Sequence, residues 1–81
     1  LKNELYVLRD LIAECSGPIF EARNNGVAIR KYNELLKDNP YPAEYDLIHI
    51  GTINHETEKL TALDPTPVEL TINTETEETE E

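Results

Sequence analysis

Six side chains around one segment offer the clearest prospect of chemistry in this 81-residue chain: Arg23, Asn24, Asn25, Arg30, Lys31 and Lys37. Four of them are among the chain's seven bases, and Arg30 and Lys37, seven residues apart, fall on one stripe of a helix. Asn24-Asn25-Gly26 stands where that helix begins. Its first amides have no partner inside the helix, so together with Arg23 and Arg30 they can hold a phosphate or a carboxylate. The same residues also suit plainer roles, a capped helix start and a solvated helix face.

The other reactive types are scattered. His49 and His55 are six apart, and a metal site would need Asp46 or Glu56 to converge with them. With no Cys pair, no His at helical i+4 spacing and no calcium-loop pattern, no metal ligand set and no cofactor are expected. Cys15 is the only cysteine. An internal disulfide is therefore impossible, a reducing compartment such as a cytoplasm is indicated, and Cys15 itself reads as a small apolar residue. Carboxylates are abundant, but nothing pairs two of them as acid and base. The three glycines, Gly17, Gly26 and Gly51, are isolated, which leaves no P-loop, dinucleotide turn or nucleophile elbow. No catalytic residue is assigned, and the chain is not expected to be an enzyme.

Charge limits the partners. The formal net charge is −10, and five of the 17 acids lie in Thr74–Glu81, which has no base. The remaining 12 acids face seven bases, so residues 1–73 carry −5. Nucleic acid binding relies on Lys and Arg displacing counterions, so any DNA contact has to come from a local patch. No apolar run of about 18 residues and no basic-then-apolar leader occurs, so neither a membrane span nor a signal peptide is expected.

The elements that must position these residues follow from periodicity. Ala28, Ile29, Tyr32, Leu35 and Leu36 form one apolar stripe of a helix between Asn24 and Asp38, closed by Pro40 and Pro42. Residues 1–15 fit either a helix or a strand through Leu5-Tyr6-Val7-Leu8. Ser16-Gly17-Pro18 makes a turn, and Ile19–Arg23 an extended segment with Phe20 as core anchor. Tyr45–Ile53 has Leu47 and Ile53 on one side and Ile48 and Ile50 on the other, the pattern of an interior strand. Asn54–Glu58 is a hairpin loop and Lys59–Leu63 its returning strand, broken by Asp64-Pro65-Thr66-Pro67. Val68, Leu70 and Ile72 alternate with polar residues as an edge strand would. Residues 74–81 offer nothing to bury and read as a disordered acidic tail, leaving one domain over 1–73.

The order of these segments is familiar. Pro18-Ile19-Phe20, then Asn25–Tyr32, Asn39-Pro40, Ala43–Leu47, Ile50–Ile53 and Glu56–Leu60 together resemble the small nonstructural protein of microviruses of the gokushovirus type, phages with single-stranded DNA. The resemblance covers roughly residues 4–72 and leaves out the tail. It implies a non-capsid protein of the host cytoplasm, serving viral DNA synthesis or its switch toward packaging and sometimes labelled DNA-binding. It also favours a strand over Leu5–Asp10. One departure concerns the hairpin, where Asn54, His55 and Glu58 replace an Asp-rich loop ending in Thr-Gly. A different turn is expected there, because Glu resists the positive φ that Gly accepts.

These readings give an α+β domain in ββαββ order, with strands near 4–10, 17–23, 45–53 and 59–63 in a mainly antiparallel sheet and one helix across one face. Two functions follow. One is a phage accessory factor that binds viral single-stranded DNA, or a phage or host replication protein, through the six residues named first. The other is a protein-interaction or assembly factor, such as a homodimer joined at a sheet edge or an adaptor using its acidic tail.

Overall fold

A computed structural model of the chain describes residues 1–70. The elements run β1 (Lys2–Asp10), β2 (Cys15–Ser16), β3 (Phe20–Ala22), α1 (Asn25–Leu35), a 3₁₀ turn (Pro42–Glu44), β4 (Tyr45–Asn54) and β5 (Lys59–Pro67). This is the expected α+β domain: an antiparallel sheet in the order β2-β1-β4-β5, with β3 also on β1 and one helix against the sheet. The opening segment is a strand because β1 is paired along both edges. One edge meets β4 from Lys2↔Asn54 to Asp10↔Tyr45, and the other meets β2 and β3. The first turn lies at Leu11–Glu14 and not at Ser16-Gly17-Pro18, because Asp10 closes it and Cys15 and Ser16 already pair with β1; the strand expected near 17–23 is confined to Phe20–Ala22.

Both hairpins are closed by the same device. In the first, Asp10 Oδ1 accepts from the amides of Ile12 and Ala13, each at 3.0 Å, and the Glu14 amide donates to the Asp10 carbonyl at 2.9 Å. In the second, Asn54 Oδ1 accepts from Glu56 at 2.9 Å and Thr57 at 3.3 Å, and the Glu58 amide donates to the Asn54 carbonyl at 2.7 Å. Each turn then leaves through a glutamate in the left-handed region, Glu14 at φ 60° and Glu58 at φ 59°. Glu58 therefore does adopt the positive φ it was expected to avoid. An Asx side chain holding two amides fixes the turn, and the left-handed residue returns the chain into register.

Two irregularities decide which residues share a face. Leu5 lies opposite Gly51 and Tyr6 opposite His49, so Ile50 is an extra residue in β4. The bulge carries Ile53, opposite Asn3, to the face of Val7 and Ile48, and away from Leu47 where simple alternation puts it. On the other side of β4, His49 pairs with Thr66 and Gly51 with Ala62, so β5 accommodates Leu63-Asp64-Pro65 as a larger bulge. The prolines consequently bend β5 and do not end it. No separate strand begins at Val68; its amide donates to the Leu47 carbonyl at 2.8 Å and its side chain joins the core. Residues 71 and 72 of the expected edge strand, and the tail 74–81, lie outside the described residues.

The core lies between α1 and one face of the sheet: Tyr6, Ala22, Ala28, Ile29, Tyr32, Leu36, Leu47 and Val68. Tyr6, Ile29 and Leu47 are its largest fully enclosed side chains. Asn24 starts the helix, its Oδ1 accepting from the Val27 amide at 3.0 Å. The Tyr32 hydroxyl donates to the Tyr45 carbonyl at 2.8 Å, tying the helix to the first residue of β4. Two expected core members stand at the margin. Leu35 is 54% exposed, because it lies at the rim of the helical stripe, over the break between β2 and β3. Phe20 is only half-buried on an edge strand, stacked on Tyr6 at 5.8 Å between centroids, and Tyr6 takes the anchoring position.

Candidate binding surfaces

Asn24 and Asn25 are both spent on structure. Asn24 caps the helix, and Asn25 Oδ1 accepts the hydroxyl hydrogen of the buried Tyr6 at 2.7 Å. Arg23 is exposed beside a shallow depression of about 530 Å³ that it shares with Glu4, Asn24, Asn25, Gly26 and His49. That depression is not purely cationic, since Glu4 and His49 bond each other across it at 2.7 Å. Arg30, Lys31 and Lys37 are exposed on and just after α1. Arg30 and Lys37 share one stripe with Glu34 between them, while Lys31 turns toward the sheet edge, its Nζ 5.8 Å from the centroid of Phe20. The six residues are therefore divided between a helix start and a helix flank, with Arg23 and Lys31 bordering different depressions.

A second surface was not singled out from the sequence. Between the end of α1 and the β1–β2 edge runs an apolar groove of about 470 Å³, lined among others by Leu8, Pro18, Phe20, Leu35 and Tyr45. Lys31 and Asp10 are its charged members, and Cys15, exposed and not packed into the interior, lies along it. The signal was present in Gly17-Pro18. Pro18 has no amide to extend the edge ladder, so the strand must open there and leave Leu35 without a cover.

The titratable groups report the same packing. Burial, with the Glu4 charge adding to it, pushes the Tyr6 hydroxyl up to about 12. Tyr32 is raised by burial and then by Asp46. Glu21 is lowered, first by the Asn3 amide bonded to it at 2.9 Å and then by His55 at 2.7 Å. Each histidine thus faces one carboxylate, and no group of three or more His, Cys, Asp or Glu side chains converges as a metal site among the described residues. Also among them, no helix is long and apolar enough to cross a membrane.

The described residues thus form a small α+β domain with a capped helix, an apolar groove and a cationic helix flank. The chain is a member of the phage ORF5 protein family, whose model matches residues 3–76. It is accordingly a phage protein, and the match extends three residues into the segment set apart as a tail. Comparison with curated proteins and with solved structures finds no match.

Proposed function

We propose that this is a non-enzymatic accessory factor of a gokushovirus-type microvirus, acting in the host cytoplasm by binding a protein of the phage or host replication machinery. The observation that carries the reading is the groove between α1 and the β1–β2 edge. It offers Leu8, Pro18, Phe20, Leu35 and Tyr45 to an incoming apolar side chain, with Lys31 at hand for an accompanying carboxylate. A net charge of −10 disfavours long-range attraction to nucleic acid and leaves an apolar contact unaffected. Titration of the purified chain with purified replication proteins of the phage and its host, followed by calorimetry, tests this. Saturable binding that weakens at least about tenfold in Leu35→Glu is expected, since a buried charge would replace an apolar contact. Binding indifferent to that change would reject the groove.

A second reading is favoured by one specific contact. Lys31 over the Phe20 ring sets a cation beside an aromatic face, with Arg30 on the same helix and Lys37 just after it, and single-stranded DNA is held by such combinations of charge and stacking. Fluorescence titration with an oligothymidylate at several salt concentrations separates the readings. Micromolar binding with a steep salt slope, lost in Lys31→Ala, would support DNA contact, and no binding at low salt would remove it.

A further inference from the structure

Asn25 is the only asparagine of the chain that is followed by glycine. The pairing matters chemically, because the backbone nitrogen of the next residue can attack an asparagine side-chain carbonyl carbon, and a Cβ on that residue crowds the approach. Glycine has none. Both residues are exposed in the first turn of α1. Of the amides that open the helix, Val27 donates to Asn24 Oδ1 and Ala28 to the Asn24 carbonyl, each at 3.0 Å, whereas the Gly26 amide has no acceptor among the described residues. A Cβ built on Gly26 meets only Asn24 Oδ1, at 3.4 Å, so the space beside residue 26 is open. The attacking nitrogen is therefore free, but its target is held. Asn25 Oδ1 accepts the hydroxyl hydrogen of Tyr6 at 2.7 Å, and Tyr6 is fully enclosed between helix and sheet.

We propose that Asn25 is a self-modification site, converted to aspartate or isoaspartate by attack of the Gly26 amide, and that the folded helix start holds the reaction back. The Gly26 nitrogen gives its proton to water or hydroxide and bonds to Asn25 Cγ. The bond from Cγ to the side-chain nitrogen breaks, and ammonia leaves with a proton taken from water. Water then opens the cyclic imide at either carbonyl, so one side-chain amide and one water become one carboxylate and one ammonium ion, with no change of oxidation state. Ring closure requires Asn25 to rotate about its Cα–C and Cα–Cβ bonds. The helix fixes the first rotation, the Tyr6 hydroxyl opposes the second, and the Asn24 cap anchors the residues that follow. Conversion thus proceeds from the population whose first turn is open, a local event that needs less free energy than global unfolding. Its product sets a carboxylate beside Arg23, in the depression that already holds Glu4. The isoaspartate form also lengthens the backbone by one methylene next to the cap. A chain that has opened there keeps a permanent change of charge, whatever the groove binds.

Peptide mapping by mass spectrometry, with isoaspartate methyltransferase labelling as a second readout, tests the site in the full chain, both folded and held unfolded in guanidinium chloride at one pH and temperature. The unfolded chain is expected to convert Asn25 ahead of every other asparagine, and the folded chain at least about tenfold more slowly. Gly26→Ala suppresses conversion in both states. Tyr6→Phe speeds the folded chain about threefold or more by releasing Oδ1, and leaves the unfolded rate unchanged. Because Tyr6 also belongs to the core, Asn24→Ala repeats the test at an exposed residue, accelerating conversion through loss of the cap while the circular dichroism stays that of the parent. Equal rates in the folded and unfolded parent overturn the proposal, as does an unfolded chain with no excess conversion at Asn25. So do folded rates in both Tyr6→Phe and Asn24→Ala that match the parent's.

Discussion

Replacing Gly51 by alanine tests the pairing of β4 with β5, which fixes the residues on each face of the sheet. Gly51 has a negative φ, so alanine suffers no backbone strain there, and the entire penalty is steric. A Cβ built on Gly51 falls 2.4 Å from the Thr61 carbonyl oxygen and 3.5 Å from the Ala62 Cα, both backbone atoms of the neighbouring strand. No side-chain rotation relieves that contact. To reach ordinary van der Waals distance the strands must part by nearly an ångström, at the bulge where the ladder is already weakest. Overpacking of this kind costs about 1–3 kcal/mol, offset by about 0.5 kcal/mol from the stiffer unfolded chain. The net loss, about 1–2.5 kcal/mol, is a large share of the stability of so small a domain and lowers the melting temperature by roughly 5–15 °C. Urea denaturation followed by circular dichroism measures it, with an unchanged m value confirming that the unfolded state is unaltered. Gly17→Ala is the control, because its Cβ meets nothing closer than the Leu8 carbonyl at 3.8 Å. If Gly51→Ala is as stable as the parent, Gly51 does not face Ala62 and the bulged register is wrong.

Three further outcomes are expected. Glu14→Gly and Glu58→Gly each stabilise the chain by about 0.5–1 kcal/mol in urea denaturation, because glycine accepts φ near 60° without the cost a Cβ incurs; a loss in either would contradict the turn geometry. At high pH, Tyr6 and Tyr32 ionise later in the folded chain than in the unfolded one. Their contribution is therefore complete below pH 10 and lost as pH rises toward about 12, and Tyr6→Phe flattens that limb of the stability curve measured by ultraviolet titration and melting. At low pH, Glu21 keeps its charge longer in the folded state. The stability it adds is present above pH 4.5 and fades as pH falls below it, so Glu21→Gln removes part of the acid slope of the melting temperature.

Local pattern carried most of the architecture. The helix was legible because its cap, its 3.6-residue stripe and its closing prolines agree, and β4 because apolar residues occupy both of its sides. What escaped were features that local pattern does not encode. The bulge at Ile50 moves Ile53 across the sheet, and alternation alone cannot reveal an extra residue. The prolines of β5 read as a break, whereas a bulge absorbs Pro65 and Pro67 stands opposite Ile48 on an edge strand that needs few donors. Leu35 and Phe20 have core-type side chains but sit where the edge strand opens, so their exposure depends on a neighbour's absence. The basic residues were found by type, but their separation into two surfaces, and the commitment of Asn25 to the Tyr6 hydroxyl, emerged only from the fold.

The placement of the helix on the sheet face that carries Tyr6 and Leu47, on which the groove depends, is tested most directly by methyl and aromatic nuclear Overhauser contacts in solution. Tyr6 and Leu47 are expected to show contacts to Ile29, and Val7 to Ile48 with none to any residue of α1. Contacts from Val7 or Ile48 to Ile29 or Tyr32 would place the helix on the other side and contradict the groove.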